Sequence, residues 1–334
     1  MARGAWVNVL ITGGSGFVAT NLAEALLRRG ENVVLFSRHS PPALVIEALS
    51  RLGTLHLARG DVRDRTEVAS ACKEHKVDAL YHAAAITADA ERERISAREV
   101  LEVNVLGTQA VLEAARDCGL RRLVYLSSSS VYGKNAVDAV TLDESATVPW
   151  PANLYGISKY AGEMLSLRFG ELRGMDVRVA RVDTTFGPWE RDTGVRDTPS
   201  PLMQVTRLAV LGREAVLPGV GRRDWLYSRE LAAALIALMD KDDPRYRVYN
   251  IGPGREWTVE EYCRKLGGAY PRFSYRMADE AARANVDYYL SHRAPFSVKR
   301  LVEDIGYVPR YGLQEAFADY MPWVEQYGDL WTAN

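Results

Sequence analysis

The 334-residue chain holds only three cysteines and five histidines and has a formal net charge of -1, and each scarcity closes off a class of protein. Cys72, Cys118 and Cys263 are far apart and odd in number. They offer neither a disulfide framework nor a zinc-ligand spacing, so no metal is expected and a reducing cytoplasm fits best. With 42 Lys and Arg against 43 Asp and Glu, there is no electrostatic footprint for nucleic acid or an anionic membrane. Clusters such as Arg121-Arg122 and Arg222-Arg223 are too short to change that. Long apolar runs are missing too: the longest, Leu231 to Met239, is too short to cross a bilayer. No secretory signal precedes the first expected strand. Hydrophobic residues at 47% and charged residues at 25% are ordinary for a soluble globular protein with a sizeable core. The expectation is a cytoplasmic protein without nucleic-acid or membrane partners.

What is present is an alternation. Buried-strand runs at Val7–Thr12, Asn32–Ser37, Thr54–Arg59, Val77–Ala84, Leu123–Ser128 and Val177–Val182 are separated by helical stretches. The helices are placed at about Gly16–Arg29, Ala97–Cys118 and Tyr155–Arg173. Repeated βα units of this kind predict an α/β fold, a doubly wound parallel sheet covered by helices on both faces. Val177–Val182 is expected to complete the parallel series. After Thr184 the rhythm is lost, and Gly187–Pro201 reads as a long loop. The chain is therefore divided into a Rossmann domain, 1–183, and a smaller mixed α/β C-terminal domain for substrate, 184–334, partly interleaved with the first. The helix near Arg229–Met239 is expected to pack back on the first domain.

Thr12-Gly-Gly-Ser-Gly16 follows a strand and opens a helix, the setting in which a glycine turn binds a dinucleotide. Gly13 permits the tight turn, Gly16 allows close approach of a pyrophosphate, and the helix amino end offers free N–H groups. At the end of the second strand an acid would accept the 2′-hydroxyl of NAD, but the chain has Ser37 and Arg38. These suit an anionic 2′-phosphate, so NADP is expected in preference to NAD. Asp61-Val62, after the third strand, could bracket the adenine.

Tyr155 and Lys159 stand four residues apart, on one face of a helix, downstream of the cluster Ser127-Ser-Ser-Ser130. Lowering a phenol from about 10 to about 7 requires roughly 4 kcal/mol. One positive charge at about 4 Å supplies roughly that at an effective dielectric of 20. A surface tyrosine and lysine at helical spacing is the plain alternative, which the serine run and the glycine turn oppose.

Together these pieces resemble the extended short-chain dehydrogenase/reductases, the branch that contains nucleotide-sugar epimerases and dehydratases. The matching segments are Thr12-Gly-Gly-Ser-Gly16-Phe17, Gly60-Asp-Val-Arg-Asp64, His82-Ala-Ala-Ala85 and Asn104-Val-Leu-Gly-Thr108. Ser127-Ser-Ser-Ser-Val-Tyr-Gly133, Tyr155-Gly-Ile-Ser-Lys159, Phe186-Gly-Pro188, Arg223-Asp-Trp-Leu-Tyr227 and Tyr249-Asn-Ile-Gly252 follow in the same order. The resemblance implies Ser128, Tyr155 and Lys159 as the catalytic set, with Lys159 lowering the phenol's pKa and holding the nicotinamide ribose. It implies cofactor contacts from Gly13, Ser15, Gly16, Phe17, Val18, Ser37, Arg38, Asp61 and Val62. Ala83, Ala84, Ala85, Asn104, Tyr155 and Lys159 complete that set, Asn104 in an architectural role. Ser129, Ser130, Thr184 and Arg223 are the implied substrate contacts, Arg223 on a sugar diphosphate. Homodimerisation through the helices near 97–118 and 155–173 is implied as well.

Two departures narrow the activity. Thr184 stands where many nucleotide-sugar members have an asparagine, and Ser129-Ser130 replaces the Asp-Glu pair used by dehydratases. The expected function is hydride transfer at a secondary alcohol or ketone of a sugar-like substrate. The alternative is a nucleotide-sugar epimerase that keeps its cofactor through a transient ketone. Loop 187–201, with Trp189, Glu190, Arg191 and Arg196, is expected to form one wall of the pocket.

Overall fold

The computed structural model describes residues 7–137, 139–279, 283–290 and 292–331. Its first half alternates strand and helix: β1 (Asn8–Thr12), α1 (Phe17–Arg29), β2 (Asn32–Ser37), α2 (Ala43–Ser50), β3 (Leu55–Arg59), α3 (Arg65–Glu74) and β4 (Ala79–His82). Then come α4 (Ala90–Leu101), α5 (Gly107–Asp117), β5 (Arg122–Ser128), α6 (Leu154–Arg173) and β6 (Asp176–Val182). The second half has shorter strands, β7 (Thr185–Phe186), β8 (Ala215–Leu217), β9 (Arg222–Arg223), β10 (Leu226–Tyr227), β11 (Val248–Ile251), β12 (Trp257–Thr258) and β13 (Tyr275–Met277). Its helices are α7 (Pro201–Val210), α8 (Ser228–Asp240), α9 (Val259–Ala269) and α10 (Leu313–Tyr327).

Seven strands form one sheet in the order β11-β6-β5-β4-β1-β2-β3, every neighbouring pair parallel. Alternate side chains feed two cores: Val9 and Ile11 of β1 join one cluster, Leu10 the other, and β2 repeats this with Val33 and Leu35 against Val34 and Phe36. Each such aliphatic side chain, withdrawn from water, contributes roughly 1.5–3 kcal/mol. This two-sided burial is why the strands read as nearly unbroken apolar runs. The strand order reverses between β1 and β4, so a crevice opens beyond their carboxyl ends, where such sheets bind ligands.

Two differences from the sequence reading follow. The parallel series does not end at Val182, because β11 pairs with β6 in register Val248↔Val179. Four residues amid irregular chain carry no periodic signal, so only the sheet edge identifies them. The helix expected at 97–118 starts at Ala90, capped by Asp89, which accepts from the Arg92 N–H at 2.8 Å. It widens into a π turn at Glu102–Leu106 before α5. That turn carries Asn104 inward, where its amide bonds both backbone groups of Ile86 and the Ser158 hydroxyl. Helix α8 packs on α1 as expected.

Cys72 and Cys118, distant in sequence, meet between α3 and the end of α5, and all three cysteines are free thiols. Among the described residues no helix is long and apolar enough to cross a membrane.

Candidate active site

A cavity of about 390 Å³ lies along the carboxyl ends of β1, β4, β5 and β6. Gly13, Gly16, Phe17 and Val18 form one end, Ala83 and Ala85 one side, and Ser128, Ser129, Ser130, Tyr155, Lys159, Thr184 and Arg223 the rest of the expected lining. Ser15, Ala84, Asn104, Ser37, Arg38, Asp61 and Val62 are not on its wall. Asn104 sits behind it, saturated by Ile86 and Ser158. Ser15 and Ala84 belong to the turn and the segment behind it, and Ser37, Arg38, Asp61 and Val62 lie at and after the ends of β2 and β3. There Ser37 donates to the His39 carbonyl at 2.7 Å, and Arg38 lies 3.9 Å from Glu99. Arg63 grips both oxygens of Asp61 and, with its hydrogen bonds foremost, holds that carboxyl below the usual range.

The glycine end fits a dinucleotide. Gly13 has φ +71°, and a Cβ there would lie 2.9 Å from the Ala84 backbone, so the turn packs directly on the segment after β4. Gly16 caps α1 with no side-chain partner, and the first turn of α1 holds no acid. Its N–H groups and partial positive charge therefore face the cavity uncompensated, as a pyrophosphate requires.

The proton-transfer residues converge at the other end. Ser128 closes β5 and accepts from the Ser130 N–H at 3.1 Å. Asn153 caps α6, its side chain accepting from the Gly156 N–H at 2.9 Å, and this sets Tyr155 in the first turn and Lys159 in the second. Gly156 lets the helix approach, since a Cβ would come within 2.6 Å of the Ser130 carbonyl. The Tyr155 phenol faces the hydroxyls of Ser128 and Thr87, which act to lower its pKa. Burial nonetheless outweighs those hydroxyls and the charge of Arg196, and it raises the phenol above its ordinary value.

Lys159, expected to lower the phenol, stands on the next turn of α6. Its ammonium lies 4.4 Å from the centre of the Tyr125 ring. Desolvation draws it down to about 7, against the opposing charge of Glu163 one turn on. Beneath it Glu163 accepts from Ser127 at 2.8 Å and pairs with Arg181, which donates to Tyr132 at 2.9 Å.

The far wall comes from distant segments. Thr193, Arg191 and Arg196 of the loop line the cavity, but Trp189 and Glu190 do not. The Trp189 indole donates to Glu24 at 2.6 Å in the core, and Glu190 accepts from Ser200 and Arg196, fixing the start of α7. Arg223 donates to the Tyr289 carbonyl at 3.3 Å, and burial lowers its pKa. Arg293 was not foreseen. It donates to Ser129 at 2.6 Å and to Thr184 at 3.2 Å, pairs with Asp183, and lies 3.8 Å from Asp224. Asp183 Oδ2, Asp224 Oδ1 and Arg293 Nε are buried there without hydrogen-bond partners among the described residues. Thr87, too, was missed. One arginine in an irregular tail and one threonine after a strand carry no signal of their own; the fold alone brings them to the serines.

A parallel sheet of this order, a glycine turn and a Ser/Tyr/Lys set in one crevice define an enzyme of the Rossmann type. Residues 9–252 match the model of the NAD dependent epimerase/dehydratase family, and the chain belongs to that family, the extended short-chain dehydrogenase/reductases. It is 27% identical to a dTDP-glucose 4,6-dehydratase of Streptomyces niveus, over 97% of this chain and 95% of the relative. It is 30% identical to sterol demethylase protein B of Methylococcus capsulatus, over 76% and 74% of the two chains. Among solved structures, MoeE5 in complex with UDP-glucose and NAD is 27% identical, with a TM-score of 0.75 over 96% of this chain and 99% of that one.

Proposed function

We propose that this enzyme transfers hydride at a secondary alcohol or ketone of a sugar-like substrate, with Ser128, Tyr155 and Lys159 as its catalytic residues. The observation that carries the reading is the meeting of Ser128, Thr87 and the Tyr155 phenol in a cavity whose other end is the glycine turn. The nicotinamide, when bound, supplies or accepts the hydride. Tyr155 gives the proton to the substrate oxygen, or takes it in the reverse sense, while Ser128 and Thr87 orient phenol and substrate. Arg223, Thr184, Ser129 and Ser130 would hold the substrate, with Arg223 and Arg293 the cations nearest a diphosphate. The two-part division at 183/184, with β11 and α8 returning to the first part, belongs to this proposal, as does a cytoplasmic location.

NADP is the proposed cofactor over NAD, supported by Ser37 and Arg38 at the end of β2 and the absence of an acid there. A homodimer is proposed through the helices near 97–118 and 155–173, supported by Ile157, Met164 and Leu172 exposed along α6 and Leu101 and Leu106 exposed at the junction of α4 and α5. Elimination is disfavoured because Ser129-Ser130 replaces the Asp-Glu pair, and neither serine can act as a carboxylic acid. The second reading is a nucleotide-sugar epimerase with retained NAD, favoured by the likeness to MoeE5 bound to UDP-glucose and NAD.

Purified protein incubated with nucleotide sugars and 4-keto sugars separates the two. Stoichiometric consumption of added NADPH supports the first reading. Product formed without coenzyme turnover supports the second, and turnover of neither kind across both substrate sets would remove sugar chemistry from the proposal.

A further inference from the structure

Most cations around the far wall have acids to face: Arg196 donates to Glu190 at 2.8 Å, Arg92 pairs with Asp197 at 2.8 Å, and Arg293 pairs with Asp183. Arg191 differs. Among the described residues its guanidinium meets no carboxylate and donates only to carbonyl oxygens, Trp189 O at 3.0 Å and Ser15 O. Burial alone acts on it, drawing it down to about 10, so it remains charged at neutral pH. A partly buried guanidinium without a counter-charge is an unfavourable arrangement that an anion would relieve.

Its position says which anion. Ser15 lies inside the glycine turn, between Gly13 and the helix cap Gly16, and Arg191 lines the cavity with both glycines. The first turn of α1 offers N–H groups to the same space and contains no acid. We propose that Arg191, reaching over from the substrate loop, is a ligand of the cofactor's pyrophosphate, so that dinucleotide binding pins loop 187–201. The inference rests on the reading of this cavity as a dinucleotide site and names one further residue of it.

The consequence is a coupling between the two halves of the site. The loop that Arg191 would anchor also brings Thr193 and Arg196 to the cavity wall, and Arg196 lies near enough to Tyr155 to act on its phenol. The loop is tied to the segment after β4 through Thr87 N–H to Val195 O at 2.8 Å, and the Thr87 hydroxyl lies beside the phenol. A cofactor phosphate held by Arg191 therefore steadies the charge and the hydroxyl beside the proton donor, and substrate should bind more tightly after cofactor than before it.

The test uses Arg191→Gln, which can still donate to Ser15 O, and Arg191→Lys, which keeps the charge. Calorimetric titration would follow NADP, NAD, ADP-ribose and adenosine 2′-phosphate, the last lacking a pyrophosphate, alongside the melting temperature of each free protein. Arg191→Gln should weaken NADP, NAD and ADP-ribose together by about 10- to 100-fold, the loss of one charge-assisted phosphate contact. It should leave adenosine 2′-phosphate within about 2-fold and the free protein at least as stable, since an uncompensated charge has been removed. Arg191→Lys should recover part of the dinucleotide affinity. Equal dinucleotide affinity in Arg191→Gln overturns the proposal, as does an equal loss for all four ligands with a fall in melting temperature, which would mark a structural role. If the unaltered protein binds none of the pyrophosphate ligands, the dinucleotide reading itself fails, an outcome distinct from either.

Discussion

The two walls of the cavity are built in different ways. The wall at the glycine turn and the serines is made of residues within a few positions of a strand end: Gly13 and Gly16 after β1, Ala83 and Ala85 after β4, Ser128 at the end of β5. The opposite wall is assembled from Asp183, loop 187–201, Arg223, Tyr288 and Arg293. It is held by contacts across long stretches of chain, such as Arg293 on Ser129 and the Phe296 N–H on Asp224 at 2.8 Å. The first wall inherits its geometry from the sheet and is where the proposed proton and hydride transfer would take place. The second is free to vary in length and charge, which is where choice of substrate belongs.

The sharpest way to break this comparison is to damage each wall separately. Tyr155→Phe should lower kcat by about 10²- to 10⁴-fold, the ordinary worth of a positioned proton donor, and leave the dinucleotide Kd within about 2-fold. A variant that keeps full turnover on an identified substrate would remove Tyr155 from the chemistry. Arg293→Met should act on the other wall, raising KM and lowering stability by about 3–5 kcal/mol in urea denaturation, because Asp183 is left buried without its partner. Adding Asp183→Asn should recover most of that stability but not KM. Recovery of both would make the arginine a structural brace only.

The same contrast explains what could be read from sequence. The glycine turn, the serine run and the Tyr/Lys pair are local patterns at strand and helix ends, and the fold brings all three to one crevice. The inner sheet strands were legible because two-sided burial writes itself as apolar runs, whereas β11 was not, being four residues whose membership depends on β6 alone. The π turn at Glu102–Leu106 escaped because a widened turn leaves hydrophobic spacing almost unchanged; only the inward pull of Asn104 on Ile86 shows why it is there. Arg293 and Thr87 escaped because their partners are set by tertiary return.

Lys159 gives the third test. Its folded pKa of about 7 lies below the unfolded value near 10.5, so the folded state is penalised for carrying its proton. Below pH 7 both states are protonated and the penalty is complete. Between about 7 and 10.5 the unfolded chain binds more protons, and stability must rise with pH. Lys159→Met should therefore be the more stable protein at pH 6.5 without cofactor, by up to about 4 kcal/mol, with the gap closing towards pH 9.5. A gap independent of pH would show that the buried ammonium is not desolvated as the structure has it.

The smallest effect is expected at the rim, where neither wall applies. Arg38 is about two-fifths exposed and shares its charge with Glu99 at 3.9 Å, so water and salt screen whatever it holds. Its contact with a 2′-phosphate should make NADP bind more tightly than NAD by roughly 5- to 10-fold at low ionic strength, and by less at 0.5 M salt. Arg38→Ala should erase that ratio through NADP alone. Ser37, its hydroxyl already donated to His39, can only accept, so the arginine must carry nearly all of the discrimination. Equal affinity for the two cofactors in the unaltered protein at low salt would return the rim to NAD.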